Sequence, residues 1–343
     1  MAQEIFYYDK AFVLESGKKL SQFHLHYTTY GKMNADKSNV VWVFHALTAN
    51  SDPAEWWYGL VGEEKLINPD KYFIVCVNMP GSCYGSISPL DKDPLTSEPF
   101  YHDFPLFTTR DMIRAYQQLK EHLDIRKIYI GIGGSMGGQQ LLEWAIEVPE
   151  AFEYIIPIAT NAKHSPWGVA FNSSQRWCIE NDATWKEKVP EAGQQGMKAA
   201  RSIALLSYRN YTTYTGAQQG FSTETEANAV DQQIFRAETY QRYQGEKLAK
   251  RFNAFSYYFL SKAMDAHDVS RDRVSLENAL QKITAKTMVI GISSDLLFPP
   301  SEQHFIAENV KGAQITIIES FYGHDGFLLE FEEIGKCISA FIS

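Results

Sequence analysis

Between Tyr129 and Glu150 the chain reads YIGIGGSMGGQQLLEWAIEVPE. An apolar, β-branched run leads into Gly133, Gly134, Ser135, Gly137 and Gly138, and a helical pattern leads out. A strand that turns straight into a helix through G-x-S-x-G leaves few options for the fold. The serine there is held in a strained backbone conformation, and side chains at the flanking positions would collide with strand or helix. Its hydroxyl is left at the carboxyl edge of a sheet, above a helix N-terminus that favours developing negative charge. Bare G-x-S-x-G is common in sequences, so the strand and helix on either side carry the weight.

Six short runs read as buried strands: residues 40–47, 72–79, 127–134, 154–160, 287–293 and 314–320. Runs that are apolar throughout suit a mostly parallel sheet covered on both faces. Between them lie helical patterns such as 110–123, where Met112, Tyr116, Leu119 and Leu123 form one apolar stripe. Strand and helix in alternation imply an α/β fold of right-handed βαβ units. The segment FHLHYTTYG alternates in character, which predicts an antiparallel edge strand. From about His164 to Ile283 the alternation stops and Gln, Tyr, Trp and Ala dominate helix-like stretches. The expected organisation is a core domain of residues 1–163 and 284–343, interrupted by a helical lid over residues 164–283.

Composition narrows the class. A net charge of -9 argues against nonspecific binding of nucleic acid or of an anionic membrane. No run approaches the roughly 18 apolar residues needed to cross a bilayer, and the N-terminus lacks the basic and apolar regions of a signal peptide. The four cysteines, Cys76, Cys83, Cys178 and Cys337, are scattered without a C-x-x-C pair. A cytoplasmic protein with thiol cysteines and no metal site is expected.

A nucleophilic serine needs a base, and the base an orienting acid, in the chain order Ser, Asp or Glu, His. Two loops after predicted strands fit. VIGISSDLLFPP offers Asp295, and IIESFYGHDGFL offers His324, both at the sheet edge expected for Ser135. Asp295 could equally serve as a helix N-cap before PPSEQHF. The remaining histidines lie upstream of the serine, in or beside the insertion, or within a helix. For the oxyanion, one N–H comes from the residue after the nucleophile, Met136, and a second from the loop in VFHALTAN, where Leu47 is the best candidate. His45 in that loop is expected to shape it, not to titrate.

The blocks FHALTAN, NMPGSCYGS, TTRDMIRAYQQL, IGGSMGGQQLLEWA, GISSDLLFPPSEQ and GHDGFLLE together resemble the homoserine O-acetyltransferase family of α/β-hydrolase-fold acyltransferases. The resemblance runs from about Phe12 to the C-terminus and implies the same triad. It also implies that Arg209, in LLSYRNY, grips the carboxylate of the amino-acid substrate and that Asp325 binds its ammonium. The implied reaction is ping-pong transfer of acetyl from acetyl-CoA, a cosubstrate, to the hydroxyl of L-homoserine, with no bound cofactor, in a homodimer that serves methionine synthesis. One departure stands out: the family usually reads GSTGP where this chain has GSISP, and an apolar Ile87 in that loop could reshape the acyl or amino-acid pocket. A succinyl donor, a serine acceptor, or simple ester hydrolysis by the same triad all remain open at this level.

Overall fold

All six apolar runs form strands in the computed structural model, which describes residues 1–222 and 234–343. The strands are β1 (Ala2–Tyr8), β2 (Phe12–Val13), β3 (Lys19–Leu20), β4 (Phe23–Tyr30), β5 (Val40–Phe44), β6 (Phe73–Val77), β7 (Ile128–Gly134), β8 (Phe152–Ile158), β9 (Lys286–Ile292) and β10 (Gln314–Ile318). Eight of them make one sheet in the order β1-β4-β6-β5-β7-β8-β9-β10, while β2 and β3 form a separate small hairpin. From β6 to β10 every pairing is parallel; β4 runs antiparallel to both β1 and β6.

These strands are apolar throughout because both faces are covered. In β5, Val40, Trp42 and Phe44 point into one core and Val41 and Val43 into the other. The first core takes residues of α2 (Thr109–His122), α3 (Met136–Glu147) and α10 (Pro300–Asn309). The second takes Trp57, just past α1 (Pro53–Trp56), with Phe327 of α11 (Gly326–Leu329) and Ile334 and Ile338 of α12 (Phe331–Ile342). Each buried aliphatic or aromatic side chain contributes about 1.5–3 kcal/mol, so a two-faced strand is favourable only under two helical layers.

The segment expected at the sheet edge is β4, and it is antiparallel as its pattern implied. It is not the edge strand. β1 pairs along its whole length, from Ala2 against Thr29 to Tyr8 against Phe23, and takes that position.

Helices fill the expected insertion: α4 (Pro166–Glu180), α5 (Gln194–Tyr208), α6 (Tyr211–Ala217), α7 (Arg236–Ala249) and α8 (Ala254–Asp265). Residues 223–233 of that insertion lie outside the described residues. A bridge between Lys163 and Asp268 closes the base where the chain leaves and returns. The short helix α9 (Leu276–Leu280), expected within the insertion, packs instead on α3 and α10. A buried ion cluster lies nearby. Arg110 of α2 and Arg273 both hold Glu143 of α3 at 2.7 Å, and Arg110 also reaches Glu15 at 2.8 Å.

Candidate active site

Ser135 sits between the last residue of β7 and the first of α3 with φ 58° and ψ -127°, a conformation that costs a non-glycine residue of order 1–3 kcal/mol. The glycines make it possible. A Cβ on Gly137 would lie 2.2 Å from the Phe44 carbonyl oxygen, and one on Gly133 would lie 2.6 Å from backbone atoms of Gly137. The corner is fixed from outside by the Ser135 N–H donating to Ile158 O at 3.0 Å and by the Thr160 hydroxyl donating to Ser135 O at 2.8 Å.

Asp295 follows β9 and His324 follows β10, so neighbouring parallel strands deliver both to the edge where β7 delivers the serine. The imidazole bridges them. Nε2 of His324 lies 2.9 Å from Ser135 Oγ, and Nδ1 lies 2.6 Å from Asp295 Oδ2. The other carboxylate oxygen of Asp295 accepts the N–H groups of Leu297 and Phe298 at 2.8 and 2.9 Å, which fixes its plane. Phe298 and Phe327 pack against the imidazole with ring centroids 5.1 and 5.2 Å away. All three side chains are buried. This arrangement can take a proton from the serine and hold the imidazolium that forms.

Met136 is the first residue of α3, where an N–H has no partner within the helix. The loop bearing Leu47 is held by His45, whose Nδ1 meets Ala46 O at 2.8 Å while its Nε2 accepts the Met79 N–H at 3.0 Å. Accepting that N–H requires an unprotonated Nε2, and burial pushes His45 down to about 4, so it stays neutral. Its position fits the shaping role that the sequence suggested.

A cavity of about 90 Å³ opens over the serine, lined by Leu47, Ser135, His324, Asp325, Arg201 and Tyr208 among others. Two expectations change here. Arg209 does not line this cavity; its guanidinium is ion-paired with Asp325 and donates to the Tyr240 hydroxyl at 3.3 Å. The guanidinium that does line it is Arg201, on α5, which lies over the Tyr208 ring at 5.4 Å and has no carboxylate partner among the described residues. Asp325 lines the cavity as expected, though already paired. Ile87 is also displaced from its expected part. It is buried beside His24 and Phe23 at the far edge of the sheet, where its N–H donates to His24 O at 3.0 Å, and it does not line the cavity over Ser135.

Behind the triad lies a group the sequence offered no signal for. Glu302, in the first turn of α10, has a buried carboxylate oxygen without a hydrogen-bond partner among the described residues. Burial, with the Asp295 charge adding to it, pushes its carboxyl up to about 7.

Comparison with known proteins places this chain among relatives. A family model for the α/β hydrolase fold matches residues 39–331. A homoserine O-acetyltransferase of Cyclobacterium marinum is 48% identical over 99% of this chain and 95% of its own length. The crystal structure of a homoserine O-acetyltransferase from Bacillus anthracis is similar with TM-score 0.92 at 24% identity, over 100% of this chain and 97% of that one. An acetylester hydrolase from Corynebacterium glutamicum shares the fold with TM-score 0.87 at 22% identity, over 99% and 96% of the two chains.

Proposed function

Because this chain belongs to the homoserine O-acetyltransferase family, we propose that it transfers an acetyl group from acetyl-CoA to the hydroxyl of L-homoserine through an acetyl-serine. Proximity within the relay supports the first half-reaction. His324 takes the Ser135 proton as Oγ attacks the thioester carbonyl, and Asp295 stabilises the imidazolium. The oxyanion rests on the Leu47 and Met136 N–H groups, the carbon–sulfur bond breaks, and CoA leaves as the thiol with the proton from His324. In the second half-reaction His324 takes the proton of the acceptor hydroxyl, which attacks the acetyl carbonyl. Collapse frees Ser135, reprotonated by His324, and releases the O-acetyl amino acid.

The observation that carries the choice of acceptor is Arg201. A guanidinium with no acid partner among the described residues, in the same small cavity as Ser135, is a place for one carboxylate. We assign the substrate carboxylate to Arg201 in place of Arg209, and the ammonium to Asp325. A succinyl donor would bring a second carboxylate, and among the described residues the cavity lining contains no second Arg or Lys to receive it. The acetyl donor is therefore favoured.

The resemblance also carries a homodimer working in the cytoplasm. Two exposed tryptophans on α4, Trp167 and Trp177, supply apolar surface of the kind interfaces use. Release of CoA thiol, followed with acetyl-CoA or succinyl-CoA and with or without homoserine or serine, tests the assignment. Thiol release that depends on acetyl-CoA and homoserine together is expected. Hydrolysis of simple esters with no response to any amino acid would replace the proposal with an esterase.

A further inference from the structure

The cavity over Ser135 accommodates an acyl group and a small acceptor, yet a CoA thioester carries a long amide-bearing arm that must leave this space. A second cavity, of about 230 Å³, lies against it. Three chain segments contribute lining to both cavities. Tyr208 lines the inner cavity and Arg209 the outer; Leu328 the inner and Leu329 the outer; Asp325 the inner and Tyr322 the outer. The wall between them is thus thin, built where these segments pass from one cavity to the other, and its polar part is the Arg209–Asp325 ion pair.

The backbone explains the arrangement. Helix α5 ends at Tyr208, and Arg209 adopts an extended conformation with φ -103° and ψ 151°, so its side chain departs from the direction taken by Arg201 and Tyr208. The outer cavity also has Tyr214 and Tyr240 in its lining, with rings in edge contact at a centroid distance of 5.9 Å. Phenol rings supply apolar faces with hydroxyls that donate or accept, which suits a chain of methylenes and secondary amides.

We infer that this outer cavity is the subsite for the pantetheine arm of the acyl-CoA donor, and that the Arg209–Asp325 pair is the partition the arm crosses to bring its thioester to Ser135. The inference rests on the acyltransferase reading above and gives Arg209 a part distinct from gripping the amino acid. Opening the partition frees Asp325 for the ammonium of the acceptor. Closing it restores a wall between the acyl-serine and the outside.

Ala217 faces this cavity from the exposed end of α6, so a larger side chain there fills the space without disturbing a core. Acylation by acetyl-CoA is compared with acylation by S-acetyl-N-acetylcysteamine, a thioester lacking most of the arm, in the wild type and in Ala217→Trp, with Gln218→Trp as a second blocking variant. The expected result is a tenfold or greater rise in KM for acetyl-CoA in the blocked variants, with the truncated thioester changed less than threefold. Equal losses with both donors, or an acetyl-CoA KM within twofold of wild type in both variants, overturns the subsite. A wild type that is not acylated by acetyl-CoA at all overturns the proposed function itself, and the two failures are separate readouts.

Discussion

At residue scale Ser135, the proposed nucleophile, combines chemistry with strain. Ser135→Ala keeps the strained backbone and removes the hydroxyl, so turnover is expected to fall by at least about 10³-fold with the fold intact. Ser135→Gly loses the same hydroxyl but relieves a positive φ, and is expected to be about 1 kcal/mol more stable than Ser135→Ala in denaturant unfolding. An alanine variant with near-wild-type turnover would remove this serine from the mechanism. The two arginines separate in the same way. Loss of a charged hydrogen bond costs about 1.5–3 kcal/mol, so Arg201→Ala is expected to raise the KM for homoserine by roughly 10- to 100-fold. The burst of acetyl-enzyme should persist. A matching loss in the burst would contradict the carboxylate role.

At the scale of elements, the ion cluster joins α2, α3 and the segment that returns from the insertion. Arg110 and Glu143 are both buried, and removing Arg110 leaves Glu143 with Arg273 alone while Glu15 loses a partner. Arg110→Met is expected to lower unfolding free energy by about 3–5 kcal/mol, read from the urea midpoint, with turnover per folded molecule unchanged. A midpoint unmoved by the change would show the cluster to be energetically neutral. This scale also explains what the sequence could reveal. The central strands were legible because two-sided burial leaves every position of β5 and β7 apolar, glycine aside, and Ser135, Asp295 and His324 could be picked out because each follows a run that reads as a strand. β1 was not, since only Phe6 of its seven residues is buried. Arg201 was missed for a different reason. Spacing cannot tell which of two arginines eight apart points inward when a helix ends between them, and only the backbone of Arg209 decides it. Glu302 was invisible because its carboxyl is buried by tertiary packing, with Asn161 and Ser165 beside it from far away in the chain.

For the whole molecule, burial sets the response to pH. Burial pushes His45 and His164 down to about 4 and His267 to about 3, from an ordinary value of 6.5. The unfolded chain therefore binds more protons in that window. Their contribution is fully present above pH 6.5 and is lost as pH falls toward 4 and 3, each adding at most about 1.4 kcal/mol per pH unit to the slope. Glu302 works in the opposite sense. Its folded value lies above the ordinary 4.5, so its stabilisation is present below pH 4.5 and is lost as pH rises through about 7. Urea unfolding across pH 4 to 8 is expected to show stability falling on the acid side. Glu302→Gln is expected to exceed wild type at pH 8 and to approach it at pH 5, and parallel profiles for the two proteins would refute the assignment.

The helical insertion lies between the nucleophile and its two partners in chain order. On the ribosome, the serine and its glycine corner emerge first, then the whole cap, and only afterwards the strands that carry the carboxylate and the imidazole. A nascent or prematurely terminated chain thus holds a hydroxyl with nothing to activate it. In the proposed mechanism reactivity arrives last, after the helical cover has been made.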